Sequence, residues 1–254
     1  MILRHLTFAA VLSLAYYSAA CQPDNSAPSS NTVAASPSNS QARTASNAAS
    51  PTPAAVSVNP IFVTTPDQLR AAFDEYELKG ENKQTVGIGE EKSLTVTAQG
   101  AHGPESLKLR VLFLPPLEQA KVKGYSFGMV AKQRTPDDRK DFENVSVSTI
   151  SQRSDRVDFR VFLEQPKDDT ATIPTISFEL LDKDGQRVKP TTQPTSYTAG
   201  IDIITAVALA EEGQELIFPL SNATSPYLTD KMDKMRLVVS IDAVEQTLEY
   251  RLKK

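Results

Sequence analysis

The composition of the chain changes abruptly at Pro60, and this change limits which part of it can fold. Residues 22–60 consist almost entirely of Ser, Ala, Pro, Asn and Thr, and they contain no leucine and no aromatic residue. Such a segment cannot bury enough apolar surface to offset the entropy lost on ordering it. We therefore expect residues 21–60 to form a disordered tether and residues 61–254 to form the folded region.

Residues 1–20 follow the order of a secretory signal peptide. Arg4 supplies a positive charge, residues 6–17 are apolar, and the small residues 18–20 precede Cys21. The apolar run holds about a dozen residues, fewer than the roughly 20 that cross a bilayer as a helix. We expect residues 1–20 to be a signal peptide that is removed on export.

Residues 18–21, with the sequence SAAC, resemble the cleavage site of bacterial lipoproteins, in which the cysteine sulfur receives a diacylglycerol and the freed amine is acylated. Cys21 is the only cysteine, so an exported chain cannot use it for an internal disulfide, whereas acylation gives it a role. Ser18 stands where that family usually has an aliphatic residue. The small residues also fit ordinary signal peptidase, whose product would be soluble with a free thiol at Cys21.

The resemblance implies that acyl chains such as palmitate attach Cys21 to a membrane, and two or three chains suffice for stable anchoring. The next residue is Gln22 and not aspartate, which among Gram-negative lipoproteins implies sorting to the outer membrane. The folded region would then face the periplasm or the cell surface. Its expected partners are the membrane, through the lipid, and another envelope protein.

One helix is predicted at the start of the folded region. Residues 65–68 have the sequence TPDQ, a capping-box pattern with proline at the first helical position. Apolar side chains follow at helical spacing, at Leu69, Ala72, Phe73 and Tyr76. Gly80 is a candidate for the end of this helix.

Most of the remaining chain alternates apolar and polar residues with a period of two, which is typical of half-buried strands. Gln152 to Asp155 and Asp182 to Gly185 have the composition of tight turns. The predicted strands are residues 94–98, 107–114, 125–129, 145–150, 157–163, 176–181, 201–209, 215–220, 235–241 and 247–252.

Strands joined by short polar turns, without helices between them, predict an all-β fold, an antiparallel β-sandwich with one short N-terminal helix. Residues 141–254 resemble the small immunoglobulin-like sandwich modules of exported bacterial proteins, and the resemblance carries no functional residues with it. Residues 61–140 form either a second module or additional strands on the same sheets, and the sequence leaves both open.

Candidate catalytic residues are few. His102 is the only histidine outside the signal peptide, and it lies in a glycine-flanked loop that predicts flexibility and not a positioned base. A zinc site built from histidine and cysteine is excluded by their number. We expect no catalytic residue, no cofactor and no metal ligand, and lipidation of Cys21 is the single modification that we predict.

Carboxylates are the remaining candidates for a functional site, because they could bind calcium or act as an acid/base pair in catalysis. The candidates are Asp137, Asp138, Asp141 and Glu143, the pair Asp168 and Asp169, and the turn residues Asp182 and Asp184. We favour the interpretation that they lie in solvated loops, balanced by nearby Arg134, Arg139, Lys140 and Lys167.

The net charge of −4, with acids and bases interleaved, makes nucleic acid an unsuitable partner. We therefore predict a non-catalytic binding or assembly module that engages another envelope protein through a sheet edge or loops. Residues 248–252 are our candidate edge, because a terminal strand has a sequence neighbour on one side only. The alternative is a hydrolase that acts on envelope polymers with a carboxylate pair.

Overall fold

Eight β-strands and four α-helices make up the part of the chain that the structure, a computed structural model, describes, namely residues 56–195 and 205–252. The helices are α1 (Pro66–Glu81), α2 (Pro116–Val130), α3 (Pro136–Gln152) and α4 (Ala206–Glu212). The strands are β1 (Glu90–Gly100), β2 (Gly103–Phe113), β3 (Arg156–Leu163), β4 (Ile176–Leu181), β5 (Arg187–Val188), β6 (Gln214–Pro219), β7 (Lys234–Ile241) and β8 (Val244–Arg251).

The strands form two antiparallel sheets of four strands each. The order in the first sheet is β1-β2-β3-β6 and the order in the second is β5-β4-β7-β8. β2 pairs with β3, so strands from before and after residue 140 share one sheet. The prediction of antiparallel sheets is confirmed.

The two sheets pack face to face over a shared apolar core. Tyr250 of β8 lies with its ring centroid 5.8 Å from that of Phe113 and 5.3 Å from that of Phe159, two residues of the opposite sheet. Its hydroxyl donates a hydrogen bond to the Val111 carbonyl at 3.1 Å. Burial of the ring raises the pKa of this hydroxyl well above its usual value. Tyr250 therefore links the sheets by packing and by a hydrogen bond.

The helices cover the other face of the first sheet. Leu112 and Leu114, at the end of β2, are buried against Val122 of α2 and Leu209 of α4. None of the described helices combines the length and the apolar character needed to cross a membrane.

The fold is mostly β, as predicted, but the prediction of a single helix is wrong, because the described residues contain three further helices. Residues 125–129 lie in α2, residues 145–150 lie in α3, and the described part of residues 201–209 lies largely in α4. Residues 152–155 connect α3 to β3 and do not form the predicted hairpin.

Local capping explains why α3 is helical despite its valine and isoleucine residues. The Thr135 side chain accepts a hydrogen bond from the Asp138 N–H, and the Asp138 carboxylate accepts one from the Thr135 N–H. Pro136 occupies the first helical position. This is the same pattern as in residues 65–68, which cap α1 as predicted. The signal for α3 was therefore present in the sequence beside an alternation that predicted a strand.

Close packing explains α2. Gly124 and Gly128 lie one turn apart on the face that meets α1, and a Cβ at either position would lie 2.1 Å from a carbonyl oxygen of α1. The backbones of α1 and α2 can approach this closely because Gly124 and Gly128 have no side chains. In the predicted strand, Tyr125, Phe127 and Met129 would share one buried face, but in α2 only Phe127 of these three is buried.

The other described strand predictions are confirmed, as is the tight turn at residues 182–185. The Asp182 carboxylate accepts hydrogen bonds from the N–H groups of Asp184 and Gln186 at 2.9 and 2.7 Å. Gly185 has a φ of 76°, a conformation that glycine adopts without strain. The Asp182 carboxylate thus stabilises the turn through its hydrogen bonds to the backbone.

Candidate functional site at the sheet edges

Two groups of predicted residues meet at one corner of the molecule. His102 lies in the turn between β1 and β2, and it borders an open hollow together with Asp168 and Asp169. The Asp168 carboxylate accepts hydrogen bonds from the Thr170 hydroxyl, the Thr170 N–H and the Ala101 N–H at 2.6, 2.9 and 2.7 Å. These bonds lower the pKa of Asp168. Asp168 therefore joins the hairpin turn to the segment after β3.

No cluster suited to a metal ion is found in residues 56–195 and 205–252. There is no group of three or more His, Cys, Asp or Glu side chains placed to hold one. The hollow beside His102 also contains Lys167, whose N–H donates to both oxygens of Glu105 at 2.9 Å. The carboxylates of Glu105 and Asp168 thus accept hydrogen bonds from the backbone.

The acidic residues at 137–143 do not lie in the predicted loop, because they occupy the first turns of α3. Asp138 is the capping residue described above, and the hydrogen bonds from the Thr135 N–H and hydroxyl lower its pKa. Glu143 accepts a hydrogen bond from Arg139 at 2.8 Å. The prediction that nearby arginines balance these charges is thus met at Glu143 by Arg139.

Arg139 joins α3 to α1. Its guanidinium donates two hydrogen bonds to Glu77, at 3.0 and 2.9 Å, and it also reaches Asp74. The hydrogen bonds to Glu77 outweigh partial burial and raise the pKa of Arg139. Through Arg139, the carboxylates of Asp74, Glu77 and Glu143 therefore join α1 to α3.

Cys21 and the rest of residues 1–55 lie outside the described residues, as do residues 196–204, 253 and 254. Lipidation of Cys21 therefore stays a prediction.

β8 is an edge strand, and the predicted position of residues 248–252 at a sheet edge is confirmed by the strand order. The Leu252 N–H donates to the Asp233 carbonyl beside β7 at 2.9 Å. Because backbone groups alternate in direction along an antiparallel strand, the N–H groups of Thr247 and Glu249 point away from β7. The Arg251 N–H, in the same series, donates to the Glu90 carboxylate of β1 at 2.8 Å.

β1 is the edge strand of the first sheet, and sequence reasoning missed it as an edge. The Gln99 N–H and carbonyl exchange hydrogen bonds with Thr172 at 3.0 and 2.9 Å, on the side away from β2. By the same alternation, the backbone groups of Ser93, Thr95 and Thr97 also point away from β2. Among the described residues, no other strand pairs with that side of β1.

Residues 93–97 of β1 lack the features that protect natural sheet edges, and the lysine of this strand, Lys92, precedes them. β1 is 11 residues long, and its register with β2 is unbroken by any bulge. The side chains of Ser93, Thr95 and Thr97 are exposed and uncharged, whereas Val96 and Ala98 are buried in the core. Proteins usually protect such an edge with lysine, proline, a bulge or a short strand. This edge is therefore a ready template for another strand.

Both ends of this edge are tied to the fold. At one end Glu91 accepts two hydrogen bonds from Arg110 of β2, each at 2.8 Å, and these bonds lower the pKa of Glu91 against the effect of burial. At the other end Gln99 is paired with Thr172. The open part is therefore residues 93–97, which we call the β1 edge.

The outer side of β6, at the opposite end of the first sheet, is covered. The Thr191 N–H donates to the Ile217 carbonyl at 2.8 Å, and the Ile217 N–H donates to the Thr192 carbonyl at 2.8 Å. The two ends of the first sheet thus differ, with β1 open and β6 covered at its centre.

No known protein family, no curated protein and no solved structure matches this chain.

Proposed function

We propose that the chain is a lipid-anchored protein of the bacterial cell envelope and that it is a non-catalytic module that binds another envelope protein. The β1 edge is the proposed binding site, where an extended segment of the partner adds a strand to the first sheet. The observation that carries the proposal is the regular, uncharged segment of residues 93–97, whose outer side pairs with no other strand among the described residues. Main-chain hydrogen bonds supply the affinity in this mode of recognition, and it requires no titrating residue.

The proposed anchor is an acylated Cys21 in the outer membrane, which keeps the folded region in the periplasm or on the cell surface. In cells that carry Cys21→Ser, we expect the protein to move from the membrane fraction to the soluble fraction, because the acyl chains are lost. Fractionation of both strains, followed by immunoblotting, measures this. Equal release of the parent and the variant by washing would contradict the anchor.

The β1 edge is tested by Thr95→Pro. The Thr95 N–H points away from β2, so proline removes no hydrogen bond of the sheet but places its ring in the path of an incoming strand. Each lost backbone hydrogen bond weakens binding by about 1 kcal/mol, and several are lost together. We therefore expect recovery of partner proteins from native membranes to fall by at least about tenfold. Affinity capture with quantitative mass spectrometry measures it.

Thr247→Pro is the matched control, because it blocks the outward N–H of β8 with the same chemistry. It should leave partner recovery unchanged. Loss of recovery with Thr247→Pro and not with Thr95→Pro would transfer the site to β8. Leu248→Pro is unsuitable, because the Leu248 N–H points toward β7 and its removal would weaken the sheet.

We also propose an immunoglobulin-like relationship for the two-sheet part of the fold. Its support is the strand order. β3 pairs with β6 in the first sheet, and the neighbouring strands of the second sheet are, in order, β5, β4, β7 and β8. This is the order of strands B and E against C′, C, F and G of such sandwiches. The β1–β2 hairpin and the helices α2 and α3, before β3, would be additions to that framework.

A further inference from the structure

A groove between α2 and α3, on the helical side of the first sheet, is independent of the β1 edge. Its volume is about 320 Å³, at the lower end of the range for sites of small ligands. Val122 of α2, Ile150 of α3, Leu114 and Ala210 form its apolar floor, and all four are buried. The space is therefore large enough for one large apolar group with a polar end.

One wall of the groove exposes apolar side chains of α3 to solvent. Phe142 is 38 % exposed and Val145 is 66 % exposed. The Phe142 ring is held in place by Phe73 and Phe127, whose ring centroids lie 6.1 and 5.3 Å away. Fixed apolar side chains that are exposed beside a groove are a feature of binding sites.

The groove carries an excess of positive charge, although the whole chain has a net charge of −4. Lys123, Arg153 and Arg160 line it, and Glu211 is the one carboxylate among its described lining residues. Arg160 forms an ion pair with Glu215 at 2.9 Å. For Lys123 and Arg153 no ion pair is found in the described part of the chain.

A buried carboxylate beneath the groove does not neutralise these two cations. Asp158 is 5 % exposed, and it forms an ion pair with Arg156 at 3.0 Å. Gln119 of the groove wall donates hydrogen bonds to Asp158 and to the Leu114 carbonyl at 3.2 and 2.9 Å. Burial raises the pKa of Asp158, although Arg156 opposes this change. Against the effect of burial, the hydrogen bond from Arg160 and the charges of Arg160 and Arg153 lower the pKa of Glu215, so this carboxylate partly offsets the charge of Arg153. Lys123 and Arg153 form no ion pair in the described residues, and they are the groups available to an anion.

We infer that this groove binds the C-terminal end of a peptide, with an apolar side chain against Phe142 and Val145 and the free carboxylate beside Lys123 and Arg153. The volume limits the bound part to about one large residue. The excess positive charge favours an anion, and the exposed apolar wall favours an apolar group beside it. A peptide C-terminus that ends in an aromatic residue combines both.

The test compares acetyl-Ala-Ala-Phe with a free carboxylate and the same peptide as its C-terminal amide. The full chain carrying Cys21→Ser is used, so that no detergent competes for an apolar groove. Binding is followed by NMR with a fluorine label on the phenylalanine ring. We expect the acid to bind at least about tenfold more tightly than the amide, because a carboxylate forms charge-assisted hydrogen bonds with both cations.

Variants assign the binding to the groove. Arg153→Gln should abolish most of the preference for the acid, and Val145→Asp should weaken both peptides. Glu211→Gln should strengthen binding of the acid, because it removes the one carboxylate in the lining. Lys231→Gln is the matched control, since it removes one exposed surface charge away from the groove and should change nothing.

Three results would overturn the inference. Equal affinity for acid and amide would show that the cations do not bind the carboxylate. Equal effects of Lys231→Gln and Arg153→Gln would show only a general effect of net charge. Binding of octanoate that the peptide acid does not displace would assign the groove to a lipid-derived acid.

Discussion

Replacement of Gly128 with alanine is expected to lower the free energy of unfolding by about 3 kcal/mol, at the upper end of the usual cost of overpacking. The added Cβ would lie 2.1 Å from the Glu77 carbonyl oxygen and 2.9 Å from the Glu81 nitrogen. Both neighbours are backbone atoms of α1, so no side chain can rotate out of the way. The better helix propensity of alanine, worth about 1 kcal/mol, cannot compensate for separating the two helices.

Urea denaturation of the parent and the variant measures the loss, with an unchanged slope as the check on two-state unfolding. Gly87→Ala is the control, because a Cβ at that position meets no atom within 4 Å. It should be neutral or slightly stabilising, since alanine restricts the unfolded chain. A loss below about 1 kcal/mol for Gly128→Ala, well under the usual cost of overpacking, would show that α1 and α2 do not pack backbone to backbone.

Replacement of Phe159 with alanine is expected to cost about 4 kcal/mol, because it opens a cavity at the centre of the sandwich. Phe159 is completely buried, and its ring centroid lies 5.4 Å from that of Phe113, 6.0 Å from that of Phe218 and 5.3 Å from that of Tyr250. These neighbours belong to both sheets, so the cavity cannot close without moving one sheet toward the other.

The same denaturation experiment measures this effect, and Phe142→Ala serves as the matched control. The Phe142 ring is 38 % exposed, so its removal loses less buried area and leaves an opening to solvent instead of a closed cavity. We expect the cost at Phe142 to be about 1–2 kcal/mol. Similar losses at both positions would contradict the placement of Phe159 between the sheets.

The open β1 edge and the α2–α3 groove differ in how far the sequence could indicate them. The alternation of residues 94–98 predicts a strand, yet it contains no information about which side of that strand lacks a partner. Thr95 lies at an edge because β1 pairs with β2 on one side and with no other strand of the sheet among the described residues. The groove depends on Lys123 and Arg153, which are about 30 residues apart and meet only when α2 and α3 pack together.

The carboxylates that the sequence offers as site residues have structural roles in the fold, and the sequence does not distinguish one role from another. Asp168 and Asp182 were correctly seen as loop residues, but their specific backbone partners follow from the fold. The charges at residues 137–143 predict a loop, whereas Asp138 lies in α3 and forms its capping box with Thr135. Asp158, the most deeply buried carboxylate of the described residues, is not among these candidates, because its position in a predicted strand is the only signal that the sequence contains for it.

Elements whose stabilising contacts are local can be predicted from the sequence. The cap of α1 at Thr65, the turn at Asp182 and the alternation of β3 all rest on residues within four positions of one another, so their patterns predict them directly. The helix α2 is explained by tertiary packing, since Gly124 and Gly128 leave the space that the backbone of α1 occupies. Tertiary structure also decided which strand lies at an edge, because strand pairing depends on contacts between residues far apart in the chain, and no local pattern records them.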